Sequence, residues 1–144
     1  AFKKIVTGEP IKAEEKGIRI TVDCSDDLEA YFDQKWTVEA VFNLLDNGVK
    51  YTQAGGRMEI EAGKTDFFVS IRIRDNGRGI AEERIPKIFQ RFYREPELAE
   101  TEGVGLGLYL AREIVMKQNG FLEVRSEPGV GTEVCVNLPM EEAI

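Results

Sequence analysis

One stretch of the sequence carries polar side chains with the types and spacing of a ligand-binding helix face. In Glu39-Ala40-Val41-Phe42-Asn43-Leu44-Leu45-Asp46-Asn47-Gly48-Val49-Lys50-Tyr51-Thr52, the residues Asn47, Lys50 and Tyr51 follow Asn43 by four, seven and eight positions. At about 100° per residue these positions share one side of an α-helix. Val38, Val41, Leu44, Leu45 and Val49 occupy the rest. An amide oxygen is a hard ligand suited to magnesium, and a lysine ammonium suits a phosphate. A solvated polar stripe has the same spacing, so the helix alone leaves both readings open.

Two glycine-rich segments lie further along. Asp75-Asn76-Gly77-Arg78-Gly79-Ile80 follows directly on a strand-like run. Its alternate glycines permit a tight turn and close approach of a ligand to backbone, and the carboxylate at the strand end can accept a hydrogen bond from an exocyclic amine such as that of adenine. An ordinary turn uses the same residues. Gly103-Val104-Gly105-Leu106-Gly107-Leu108 opens the last helical segment, where exposed backbone N–H groups and the helix dipole favour an anion. A dinucleotide fingerprint would sit between the first strand and helix of a parallel unit; this loop lies late in the chain, before strands that look antiparallel. No Gly-Lys-Ser/Thr occurs anywhere, which excludes a Walker-type phosphate loop. Between the glycine segments, Phe89 and Phe92 have helical spacing and read as core or hinge packing. Arg91 and Arg94 beside them offer positive charge to a polyphosphate.

The elements that must position these residues can be read from periodicity. Ile18 to Cys24 alternates as a strand, and a second short strand is expected from Glu29 to Phe32. A helix over Trp36–Tyr51 closes at Gly55-Gly56. Arg57–Lys64 and Phe67–Arg74 alternate like a hairpin; short helical turns around Glu82–Arg84 and Pro86–Phe92 follow the first glycine segment. Arg94 to Glu102 is acidic and aperiodic, and is expected to be a mobile loop. Leu106 to Gln118 reads as a helix with Leu106, Leu110, Ile114 and Val115 on one side, ended by Gly120. Two strands, Phe121–Ser126 and Thr132–Leu138, flank a final turn. Phe2, Ile5, Val6 and Ile11 suggest a first helix interrupted by Gly8 and Pro10. Paired strands with helices between them predict an α/β (α+β) two-layer arrangement, one mixed and mostly antiparallel sheet with helices on a single face. Glu59 and Glu61, alternating with Met58, Ile60 and Ala62, mark the other face as polar.

Composition bounds the possibilities. The 144 residues fit one domain, and 42% hydrophobic with 31% charged residues is ordinary for a soluble globular chain. No apolar run approaches the roughly 20 residues of a membrane helix, and no secretory leader is evident. The abrupt start at Ala1-Phe2-Lys3-Lys4 is that expected of a fragment of a longer protein. A formal charge of −7 disfavours binding to nucleic-acid phosphates, and makes a nucleotide a ligand that needs a metal ion and local cations. Cys24 and Cys135 lack metal-ligand spacing and are expected to be buried thiols in a reducing compartment. The chain contains no histidine.

Each motif is modest alone, but their order along one chain closely resembles the catalytic ATP-binding domain of bacterial sensor histidine kinases. The asparagine helix, Asp75-x-Gly77-x-Gly79, Phe89-x-x-Phe92 and Gly103-x-Gly105-x-Gly107-Leu108 correspond to its N box, first glycine box, F box and second glycine box. The resemblance runs from Glu15-Lys16-Gly17-Ile18 through Ser126-Glu127-Pro128-Gly129-Val130-Gly131-Thr132 to Leu138-Pro139. It implies the Bergerat fold, a sheet of about five strands with three helices on one face, over the whole of residues 1–144. It implies ATP and magnesium as cofactors. Asn47 would be the main metal ligand with Asn43 beside it, Lys50 would contact phosphate, and Tyr51 would lie against adenine. Asp75 would accept the adenine amino group in a pocket shaped by Gly77, Gly79 and Ile80. Gly103, Gly105, Leu106, Gly107 and Leu108 would line the triphosphate, and Arg94, with Arg91, would reach the phosphates from a lid. Catalysis would rest on Asn43, Lys50 and Arg94. The acidic lid residues Glu95, Glu97, Glu100 and Glu102 depart from what the family leads one to expect.

The resemblance further implies that the γ-phosphoryl group goes to a histidine on a separate dimerisation domain, and from there to a response regulator. A chain without histidine cannot hold that acceptor. It is therefore expected to be a catalytic piece whose substrate domain lies elsewhere, or a stand-alone relative that phosphorylates something else. The domain alone would be a cytoplasmic monomer, with its parent possibly membrane-anchored. Two other readings share the fold. An ATPase of the gyrase B or heat-shock chaperone type would carry a glutamate four residues before the metal asparagine, where this chain has Asn43. An anti-sigma regulator would phosphorylate serine or simply hold a partner; the Phe-x-x-Phe segment and the long last helix fit the sensor kinases better.

Overall fold

The computed structural model describes residues 17–23, 34–53, 55–65, 67–90 and 107–139. The expected first helix, the strand over 29–32, Cys24 and the acidic loop lie outside them. Five strands form one sheet: β1 (Arg19–Asp23), β2 (Arg57–Lys64), β3 (Phe68–Asp75), β4 (Phe121–Glu127) and β5 (Gly131–Pro139). Their order is β1-β2-β3-β5-β4. β1 runs parallel to β2, and the other three pairings are antiparallel. This is the mixed, mostly antiparallel sheet anticipated. The parallel pair follows from connectivity, because α1 (Gln34–Tyr51) intervenes between its two strands.

Helix α1 buries Thr37, Ala40, Val41, Leu44, Leu45, Gly48 and Thr52, a spacing of three and four that makes a continuous stripe. Gly48 allows a close approach to the sheet. A Cβ there would stand 2.6 Å from Cε of Met58, itself fully buried on β2. The helix ends where Thr52 Oγ1 donates to the Gly48 carbonyl at 2.7 Å and Gly55 takes a positive φ of 82°.

Helix α2 (Gly107–Lys117) buries Val115 as expected but otherwise differs from expectation in its inward face. Leu108, Ala111 and Val115 are buried, whereas Leu110 is 42% exposed and Ile114 only half-buried. Spacing permitted either stripe; packing against α1 and the sheet selects the one starting at Leu108. Asn119, not Gly120, takes the left-handed conformation that closes the helix, with φ 65°. Gly120 is needed for a different reason, since a Cβ there would run into the Asn137 carbonyl. Gln118 ties the helices together, its Nε2 donating to Thr37 Oγ1 at 3.1 Å.

The two helical turns expected after the first glycine segment form one 3-10 helix, Glu82–Phe89, through Pro86. Proline lacks the N–H that a continuing α-helix would require. Phe92 lies outside the described residues, and Phe89 is buried in the core as anticipated.

The core lies between the helices and the inner sheet face, where Met58, Ile60, Val69, Ile71, Ile73, Val136 and Leu138 meet the helical stripes. The outer face is polar around Glu59 and Glu61, as their alternation predicted. There Arg74 binds Glu133 at 3.0 Å, Glu61 at 3.1 Å and Glu59 at 3.7 Å, linking three strands. Cys135 is a free, buried thiol. Among the described residues no helix is long and apolar enough to cross a membrane. Ile71 is fully buried at the centre of the sheet. Ile71→Ala is expected to lower stability by about 2–5 kcal/mol, read from urea unfolding as a lower midpoint with unchanged slope.

Candidate functional site

The site grows from the end of β3. Asp75 is its last residue, and its Oδ1 accepts the Gly77 N–H at 2.9 Å. The Thr132 backbone N–H, opposite Asp75 in the β3–β5 register, also bonds this carboxylate. The other oxygen turns toward α1, 3.8 Å from the Cβ position of Gly48. Gly48 immediately follows Asn47 in sequence, so the carboxylate at the strand end and the asparagine helix meet at one end of the sheet.

Asn43 and Asn47 are both half-buried on α1. Asn43 Nδ2 is buried and has no hydrogen-bond partner. Such a group costs free energy unless something else satisfies it, and an amide can present either its oxygen or its nitrogen by turning over. The amide therefore offers a donor or an acceptor to a ligand on this flank. Among the described residues no three His, Cys, Asp or Glu side chains gather as a metal cage. A cation held here would use neutral amide oxygens, with a ligand's own phosphates supplying the charge, a donor set that suits a hard ion such as magnesium. The backbones of Lys50 and Tyr51 continue α1 in the last turn; their side chains lie outside what is described.

The first glycine loop is locked to the β4–β5 hairpin. Gly79 has φ 72°, and a Cβ there would collide with the Glu127 carbonyl. Gly131 has φ 148° and packs against the Asp75 carbonyl and, at 3.1 Å from its Cβ position, Asn76 Cα. The Arg78 carbonyl accepts the Gly129 N–H at 2.8 Å. Ser126 Oγ accepts the Ile80 N–H at 2.7 Å and lies 3.0 Å from the Gly131 carbonyl and 2.8 Å from Thr132 Oγ1. Gly48, Ser126, Gly131 and Thr132 thus frame the site, and no role was read for them in the sequence. The closing Ser126 to Thr132 segment carried the available signal, but only its contact with the glycine loop reveals what it does.

The remaining expected site residues divide by location. Gly77 and Gly79 are buried in the loop beside Asp75. Ile80 and Leu108 sit in the core cluster with 2% and 7% of their surface exposed. Their side chains pack beneath the site, and the Ile80 N–H is already donated to Ser126. Gly107 is the first residue of α2. Arg91, Arg94, Gly103, Gly105 and Leu106 lie outside the described residues.

Burial raises the Asp75 pKa above the ordinary 3.8, opposed by the backbone hydrogen bonds from Gly77 and Thr132. A carboxyl whose folded pKa exceeds its unfolded value contributes stability that is present below the unfolded value and lost as pH rises through the folded one. Asp75→Asn keeps an acceptor oxygen for the Gly77 N–H and removes the buried charge. At neutral pH the variant is expected to melt no lower than the parent, with its advantage disappearing toward acid pH. Thermal melts across that range check this; a uniform loss at every pH would contradict it.

The chain matches the model of the histidine kinase-, DNA gyrase B-, and HSP90-like ATPase family over residues 32–142. Sensor histidine kinase YvrG of Bacillus subtilis is 31% identical over 137 residues, 94% of this chain and 24% of that protein. Signal transduction histidine-protein kinase BaeS of Escherichia coli is 30% identical over 128 residues, 88% of this chain and 27% of that protein. The chain spans about a quarter of the length of these curated relatives. Its fold is similar to that of the mycobacterial sensor histidine kinase MprB, with TM-score 0.81 at 25% identity, covering 99% of this chain and 96% of that one. It is equally similar to full-length ShkA in complex with AMPPNP, with TM-score 0.81 at 28% identity, covering 98% of this chain and 29% of that one.

Proposed function

Because the chain belongs to the histidine kinase-, DNA gyrase B-, and HSP90-like ATPase family, we propose that it binds Mg-ATP and transfers the γ-phosphoryl group to a histidine on the dimerisation domain of a two-component sensor kinase. The whole of residues 1–144 is then the catalytic domain of a longer protein. The observation that carries this reading is the buried, unpartnered amide of Asn43 on the flank it shares with Asn47. That amide lies on the same helix as Gly48, against which Asp75 is set, so a ligand held between them would complete it.

In this reading Asp75 accepts the adenine amino group in a pocket shaped by Gly77, Gly79 and Ile80, with Gly79 letting the Glu127 backbone pack against the loop. Asn47 and Asn43 hold the magnesium ion, which when bound neutralises charge on the phosphates. Lys50, Arg91 and Arg94 supply fixed positive charge in a protein whose net charge is −7. The backbone N–H groups of Gly103, Gly105, Leu106, Gly107 and Leu108 bind the triphosphate, the last two from the first turn of α2. Tyr51 lies against the base. Little covalent chemistry falls to the protein; orientation and charge compensation provide the rate.

The identity of residue 43 supports transfer over hydrolysis. An amide cannot take a proton from water as a carboxylate would. With no histidine in the chain, the acceptor belongs to another domain, which passes the group to a response regulator. The reaction takes place in the cytoplasm, with the catalytic domain itself a monomer.

Titration with ATP, with and without magnesium, tests binding. Adding the cognate dimerisation hairpin then tests transfer, read as acid-labile phosphate on that hairpin. Release of phosphate to water instead would favour the ATPase reading, and absence of nucleotide binding would sink the proposal. Asn47→Ala is expected to abolish magnesium-dependent ATP binding. Unchanged affinity would refute the metal assignment.

A further inference from the structure

Arg112 lies on α2, one helical turn beyond Leu108 and on the same side of the helix. Its guanidinium carbon stands 5.1 Å from the centroid of the Phe89 ring, the last residue of the 3-10 helix. That distance is within the range of a cation–π interaction. The Nε–H of Arg112 is buried without a hydrogen-bond partner. A methionine or leucine would fill the same space without stranding a donor, so packing alone is a poor account of an arginine here.

The two elements it joins flank, at some distance in the case of the 3-10 helix, the stretch of chain that contains the second glycine segment. The 3-10 helix ends at Phe89, and α2 starts at Gly107. Phe89 and Leu108 both belong to the core cluster. Apolar contact holds them together but leaves a ring free to slide, whereas a cation over the ring face selects one arrangement. We propose that Arg112 is a positioning residue for the nucleotide site: by stacking on Phe89 it sets the 3-10 helix against the first turns of α2, and so places the α2 N-terminus where triphosphate is to be bound. This rests on the ATP-binding reading above. It assigns no direct contact between Arg112 and the nucleotide.

The test compares the parent chain with Arg112→Met, Arg112→Lys and Phe89→Leu, measuring Kd for Mg-ATP by calorimetry and Tm in the absence of nucleotide. Arg112→Met keeps the stem and removes both the cation and the stranded Nε–H. Its Kd is expected to rise about five-fold, while its Tm does not fall. Arg112→Lys restores a cation and is expected to bring Kd back to within about two-fold of the parent. Phe89→Leu is expected to weaken binding as Arg112→Met does, and the double variant to be no weaker than either single one. An unchanged Kd in Arg112→Met, or losses that multiply in the double variant, overturns the proposal. A fall in Tm with unchanged Kd overturns it too, since that is the result of a purely structural contact. If Arg112→Met does not fold, the proposal stands or falls on Phe89→Leu and Arg112→Lys: Phe89→Leu with parental affinity, or Arg112→Lys as weak as Phe89→Leu, overturns it. Failure of the parent chain itself to bind Mg-ATP would instead remove the reading on which the proposal depends.

Discussion

The close contact of the first glycine loop with the β4–β5 hairpin constrains everything else at the site. Gly79 lies against the Glu127 carbonyl, and Gly131 lies against the Asp75 carbonyl. Both contacts are backbone on backbone, with no space for a Cβ. Ser126 bonds across the same gap to Ile80. The loop after β3 is therefore not a free turn; its path is dictated by a hairpin some fifty residues further along the chain. Where that path begins, Asp75 is left at the rim of the sheet facing Gly48.

That placement has an electrostatic consequence. Two backbone amides support the Asp75 carboxylate, yet burial still lifts its pKa. Hydrogen bonding here falls short of full compensation for desolvation. A group of this kind gains when a neutral donor arrives, and an exocyclic amine is such a donor. The asparagine flank has the complementary incompleteness, a buried amide without a partner. The site thus combines a partly desolvated acceptor at one end and an unsatisfied amide along the helix. Beneath them lies a close-packed apolar layer including Ile80 and Leu108 that resists rearrangement.

Much of this architecture was legible in the chain because its periods are unambiguous. Strands with a buried and a solvated face must alternate, as Met58, Glu59, Ile60 and Glu61 do. Helix α1 needed a stripe of threes and fours, and its asparagines fell outside that stripe. On α2 the expected stripe of Leu106, Leu110, Ile114 and Val115 holds at the buried Val115 and fails at the exposed Leu110, because Leu108 and Ala111 have helical spacing to Val115 just as good. Period fixes which residues share a face, but it cannot say which of two apolar faces meets the sheet.

The order of asparagine helix, first glycine loop, phenylalanine segment and second glycine loop carried the resemblance to the family, since residue type and local spacing are preserved in the motifs. That resemblance implied the sheet of about five strands. The absence of histidine likewise follows from the residues alone and directs any histidine acceptor to another domain. The tertiary structure decided how the parts meet. It placed Thr132 and Gly131 beside Asp75, brought Ser126 to Ile80, and set Arg112 on Phe89. These pairs are joined by strand pairing and packing between segments far apart in the chain. No local period encodes such contacts; they exist only once the sheet has closed and the helices have settled on it.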